Sequence, residues 1–154
     1  MSHAAPFNEA VVGRRRAMGL LARARLGELG EPLARRWPEH GARDLKPVET
    51  GLVMLRGRAG GDGAPFNLGE ATVTRAVVEI DDGLRGYGHV LGRDAEQARR
   101  VAILDALWQA PASRDVVEAE VLSPIAERIA AERAGADAAT RVDFFTLVRG
   151  EDET

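Results

Sequence analysis

The chain has 154 residues, 45% hydrophobic and 29% charged, with a formal net charge of −3. This is the profile of one soluble globular domain rather than a disordered or fibrous chain, and the slight negative balance argues against general nucleic-acid binding. There is no cysteine, which excludes disulfides, thiolate nucleophiles, iron–sulfur ligation and zinc–cysteine sites built by this chain. No apolar run approaches the length of a membrane-spanning helix, and the first residues lack the apolar stretch of a signal peptide. The expectation is a cytoplasmic protein with no membrane partner.

In chain order, residues 1–7 read as a mobile tail and 8–150 as a single α+β domain. Residues 9–26 read as a helix with Asn8 as N-cap and an apolar stripe of Val11, Met18, Leu21 and Leu26. A short second helix spans 29–37, with Pro32 in its first turn and Pro38 as its stop. The period then changes. Residues 43–49 suit a short edge strand interrupted by Pro47, and 51–59 alternate as a second strand. ATVTRAVVEI, 71–80, is rich in Val and Thr and is the clearest strand. Asp81-Asp82-Gly83 makes a tight turn, and 84–91 closes a hairpin. These connections predict an antiparallel meander of about four strands.

Asp94 is placed to cap a helix over 95–109, with Gln97 as the reciprocal member of a capping box. Val101, Leu104 and Trp108 mark its buried side, widened by Ile103 and Leu107. A linker around Pro111, a short amphipathic stretch near 115–121 and a helix opened by Ser123-Pro124 follow, the last running to about residue 139. The end of the chain, RVDFFTLVRGEDET, carries an apolar cluster and an acidic tail at 151–154. The fold class is α+β: a meander flanked by N-terminal and C-terminal helices.

One segment invites a chemical reading. GRAGGDGAPFNLGE, residues 57–70, is glycine-rich, as phosphate-binding loops are. A Walker loop, however, ends in Gly-Lys-Ser/Thr before a helix, and a dinucleotide fingerprint also needs a following helix. Here no lysine follows and the next element reads as a strand. The segment suits a hairpin connection of about ten residues, longer than ordinary hairpin loops. Long loops often carry contacts, so Pro65, Phe66 and Asn67 are candidate partner-interface residues. The competing role is capping of the sheet end. Phe144, Phe145 and Arg149 are candidates on the same grounds, since aromatic residues so near a terminus pack either on their own domain or on another chain.

The strands also carry cations. If the hairpins pair about their loop midpoints, Arg56, Arg75 and His89 form one cross-strand row suited to an anionic ligand. The competing reading is a solvated face with scattered cations, and a one-residue slip in register destroys the row. His3, His40 and His89 are not spaced as metal ligands, so no metal is expected. Ser2, Ser113 and Ser123 lie outside any nucleophile-elbow context. The residues alone name no catalytic constellation.

Several runs nevertheless carry a resemblance. Glu49-Thr50-Gly51-Leu52-Val53, Gly60-Gly61-Asp62-Gly63, Phe66 through Arg75, Gly86-Tyr87, Gly92-Arg93-Asp94 and Arg141 through Gly150 resemble the PhnG family. These are the G subunits of the carbon–phosphorus lyase system of phosphonate use, and the resemblance covers about residues 10–152. It implies a bacterial hetero-oligomer subunit, two copies per complex, assembled with the I subunit most directly, with H and J, and functionally with L. It implies support for displacement of adenine from MgATP by a phosphonate, giving a ribose 1-phosphonate 5-triphosphate. The chemistry would lie mainly in the I subunit, with no cofactor bound by this chain alone. No catalytic residue transfers with the resemblance. The alternatives are direct contribution of Arg56, Arg75 and His89 to the nucleotide or phosphonate site, and a free-standing small-molecule binding module.

Overall fold

A computed structural model describes residues 6–60 and 62–139. The elements in chain order are α1 (Pro6–Leu21), α2 (Gly30–Arg36), β1 (Arg43–Asp44), β2 (Glu49–Arg58), β3 (Pro65–Glu79), β4 (Arg85–Leu91), α3 (Ala95–Gln109), α4 (Pro111–Val117), a π-helical turn (Glu118–Leu122) and α5 (Ser123–Ala139). This is the expected α+β order. Among the described residues no helix is long and apolar enough to cross a membrane.

The sheet is antiparallel, with β3 at its centre. β1 and β2 lie in line along one edge of β3, at Arg43↔Glu79 and Glu49↔Arg75, and β4 lies along the other, at Val77↔Tyr87. Ala76 and Val78 of β3, Ile80 just after it and Val90 of β4 are buried on the face toward α3. The other face carries Arg75, Tyr87 and His89, because side chains alternate along a strand.

Residues Val101 to Trp108 of α3 are all buried, more than the single stripe expected, because α3 lies between the sheet and the other helices. β4 meets it across glycine. A Cβ on Gly86 would sit 1.8 Å from the Ala102 carbonyl oxygen, and one on Gly88 would sit 1.9 Å from that of Ala98. Asp94 caps α3 as expected, its carboxylate accepting from the Gln97 N–H at 2.9 Å. Gln97 does not complete a capping box, however: its Nε2 donates to the Ala24 carbonyl at 3.2 Å and its Oε1 accepts no bond among the described residues.

Several boundaries differ from the sequence reading. α1 starts at Pro6, so Asn8 lies inside it, and ends at Leu21, five residues short of the expected end. Tight turns close it there, with Arg23 N–H donating to the Leu20 carbonyl and Ala24 N–H to that of Leu21. Leu26 therefore leaves the apolar stripe and is 76% exposed, while Leu21 and Leu29 are fully buried. β3 begins at Pro65, so the glycine-rich connection shortens to residues 59–64. Gly60 there has φ +62° and the Gly63 N–H returns to the Ala59 carbonyl at 2.9 Å. Ser123 is the first residue of α5 but not its N-cap, since its backbone is already helical. Helical backbone continues from Pro111, and Ser123 Oγ donates to the Glu118 carbonyl at 2.9 Å. Pro124 has no N–H, and in a regular helix its ring would crowd the carbonyl four residues back. The wider π turn before it relieves that crowding.

Candidate docking arm and outer sheet face

The distal halves of β2 and β3 form a two-stranded arm. Its register runs from Leu52↔Thr72 to Arg58↔Pro65, with one extra residue on β3, Leu68, between the pairs Leu55↔Gly69 and Arg56↔Asn67. Gly69 takes φ +149° at this bulge, a conformation glycine adopts without a Cβ penalty. Leu68 lies across Gly57, where a Cβ would meet its Cδ1 at 2.7 Å. Leu52 and Met54 share the face that continues the core side of the sheet. Leu55 and Phe66 lie on the opposite face, by the register. Leu52, Met54, Leu55, Phe66 and Leu68 are between 44% and 62% exposed. Thus the arm is apolar on both faces, and Pro65, Phe66 and Asn67 are strand residues near its tip rather than loop residues.

The outer sheet face holds two of the three predicted cations. Arg75 and His89 are direct cross-strand partners. Arg56 is opposite Asn67, eight positions along β3 from Arg75. At about 3.3 Å per residue, that separation is about 26 Å, so Arg56 does not complete the expected row. The cause is register: the hairpin turns at 59–64 and carries the bulge, so it does not pair about the midpoint of the longer loop assumed from sequence. The Arg75 guanidinium leans over β2, its Nη2 lying 3.4 Å from where a Gly51 Cβ would be. Among the described residues neither Arg75 nor His89 has an ion-pair partner within 4.0 Å.

Beside β4, α1 closes an open hollow of about 460 Å³ lined by Val11, Arg14, Arg15, Met18, Tyr87 and His89. Arg14 is fixed there by Asp105 of α3, with Nε to Oδ1 at 3.0 Å and Nη2 to Oδ2 at 2.7 Å. The same carboxylate accepts the Tyr87 backbone N–H at 2.9 Å, on the outer edge of β4. Hydrogen bonding to Asp105 raises the Arg14 pKa above its ordinary value, and its guanidinium stands 5.7 Å from the centre of the Tyr87 ring. Sequence reasoning missed Asp105. Its only signal was an acid inside an otherwise apolar run, AILDALW.

Among the described residues no group of three or more histidines, aspartates or glutamates could hold a metal ion. His40 lies in the connection between α2 and β1, His89 lies on β4, and His3 lies outside the described residues. Phe144, Phe145 and Arg149 also lie outside them.

Residues 12–150 match the model of the family described as phosphonate metabolism protein PhnG. This chain belongs to the PhnG family. Across 145 residues, 92% of each chain, it is 51% identical to the alpha-D-ribose 1-methylphosphonate 5-triphosphate synthase subunit PhnG of Rhizobium meliloti (strain 1021). The arm contains Leu52-Val53 and Phe66 through Thr72, parts of two of the runs that carry the resemblance.

Proposed function

We propose that this PhnG-family chain is an accessory subunit of a synthase that forms ribose 1-phosphonate 5-triphosphates from ATP and phosphonates. Adenine is displaced mainly in a partner's active site, that of the I subunit, within a carbon–phosphorus lyase complex of two copies that also contains H and J, with L acting functionally. The relative's name supports the subunit role. The observation that carries the reading is the arm, which holds Leu52, Met54, Leu55, Phe66 and Leu68 in solvent on both faces. Apolar surface of this kind suits a permanent protein contact. Pro65, Phe66 and Asn67 are the proposed contacts at its tip, and Phe144, Phe145 and Arg149 are proposed to face a partner as well.

The test is co-expression with the I subunit, followed by an adenine-release assay with and without this chain. Release should need the chain, and Phe66→Ala should reduce co-purification. Full release in its absence would remove the proposed role.

A second reading has its own observation. Arg75 and His89 face one another across β3 and β4 with no ion pair within 4.0 Å among the described residues, Glu49 opposite Arg75 on β2 pairing with Lys46 instead, an arrangement suited to neutralising phosphate or phosphonate charge. Under it, Arg75→Ala leaves assembly intact and lowers adenine release steeply.

A further inference from the structure

Among the described residues, β2 pairs with β3 on one side only. Two backbone bonds set the phase of the ladder. The Leu45 N–H donates to the Val77 carbonyl, and the Gly92 N–H donates to the Thr72 carbonyl. Odd-numbered residues of β3 therefore turn their backbone groups toward β2, and even-numbered ones toward β4. Glu49, Gly51, Val53 and Leu55 face those odd residues in register. Thr50, Leu52 and Met54 accordingly point N–H and C=O away from the sheet. Among the described residues, nothing bonds to these six groups.

Sheet edges are ordinarily protected by short strands, charges, proline or bulges. The run Thr50 to Leu55, TGLVML, carries none of these, and the bulge comes only after Leu55. A helix seated on this edge would leave its donors and acceptors open, because its own backbone groups are already paired. An extended chain would satisfy them and place alternate side chains over both apolar faces. The charges add direction. Arg56 has no ion-pair partner among the described residues, and Arg58 reaches only the Gly63 carbonyl, at 3.3 Å.

We propose that β2 takes up an extended segment of a partner subunit as an added strand, pairing at Thr50, Leu52 and Met54. The segment alternates apolar residues and carries an acid where it meets Arg56 and Arg58. The inference rests on the subunit reading above and specifies how that contact is made.

The test compares amide exchange in the full chain, free and in the co-expressed complex. The Leu52 and Met54 amides should slow about a hundredfold on assembly, since their exchange would then require the added strand to open. The Gly51 and Val53 amides should be slow in both states. Leu52→Pro and Met54→Pro remove outward donors that β3 does not use, so they should cut co-purification about tenfold more than Leu52→Ala and Met54→Ala. If a proline variant fails to fold, exchange of the wild-type amides still decides. A wild-type chain that no other subunit retains would defeat the subunit reading itself. Retention with unprotected Leu52 and Met54 amides would overturn strand addition alone. Protection already present in the dilute free chain would assign the edge to this chain's own C-terminal segment. Protection that grows with concentration of the free chain would assign it to a second copy. Either result overturns the proposal.

Discussion

Arg14 and Asp105, 91 residues apart in the chain, meet in a two-point ion pair between α1 and α3. The Asp105 side chain is fully buried and that of Arg14 is 31% exposed. The pair does structural work beyond its own charges, because Asp105 also accepts the Tyr87 backbone N–H. One carboxylate thus fastens the sheet edge, the central helix and the N-terminal helix together. Removing Asp105 leaves a guanidinium and a backbone donor without their acceptor.

Asp105→Ala should therefore lower the unfolding free energy by about 3–5 kcal/mol, the usual cost of breaking one side of a buried pair. Urea denaturation followed by circular dichroism measures it. A loss under about 1 kcal/mol, the scale of a surface pair, would mean that water reaches the carboxylate freely.

Gly86→Ala and Gly88→Ala probe the approach of β4 to α3. The added methyl would fall inside the van der Waals radius of a helix carbonyl, and backbone atoms cannot swing aside as a side chain can. Each change should cost about 3 kcal/mol, at the upper end of ordinary overpacking. Thermal melting of the two variants, with Gly60→Ala as a test of positive-φ strain without a steric clash, separates the two effects.

Acid should loosen α2. Glu120 of the π turn is bound by Arg36 and Arg35, and hydrogen bonds from Arg36, then Arg35, lower its pKa from 4.5 to about 2. A carboxylate with a lowered folded pKa adds stability above its unfolded pKa and loses it as pH falls. That contribution is therefore fully present above pH 4.5 and disappears on the way down to about 2. Glu28 and Glu79 are lowered too, chiefly by hydrogen bonds from Arg128 and Arg43 respectively. Melting temperature against pH should fall through this window, and Glu120→Gln should flatten part of the slope. An unchanged slope in that variant would count against the Arg35–Arg36 clasp.

The arm should tolerate polar substitution in isolation. Leu52→Ser, Met54→Ser and Leu55→Ser remove exposed apolar atoms, so each should shift the unfolding free energy by no more than about 0.5 kcal/mol. The same variants should make the isolated chain less prone to self-association, as measured by light scattering. By contrast, Leu104→Ala in the core should cost about 2–5 kcal/mol.

Much of the helix and strand pattern was legible in the sequence, and the reasons are local. ATVTRAVVEI declares a strand through its β-branched residues, and all of it but the final Ile80 lies within β3. Asp94 followed by Gln97 declares the start of α3, and the cap is there. Where a boundary depended on distant packing, the reading slipped. Leu26 looked like a core residue because its spacing suited a helix, but the chain turns at Leu21. Ser123-Pro124 looked like a helix start because that pair often is one. Only the wider π turn shows how the helical backbone passes through it.

The candidate sites divide in the same way. Composition and motif alone determined the α+β class, the absence of cysteine chemistry and the family resemblance, because these need only the order of residue types. Tertiary structure decided which residues meet. It set Arg75 opposite His89 and carried Arg56 far from both, since strand register depends on where the hairpin turns and on one bulge residue. It turned Phe66 from a loop residue into part of an apolar arm. It also brought Asp105 to Arg14 and Tyr87, because contacts between residues far apart in the chain arise only when helices and sheet are packed.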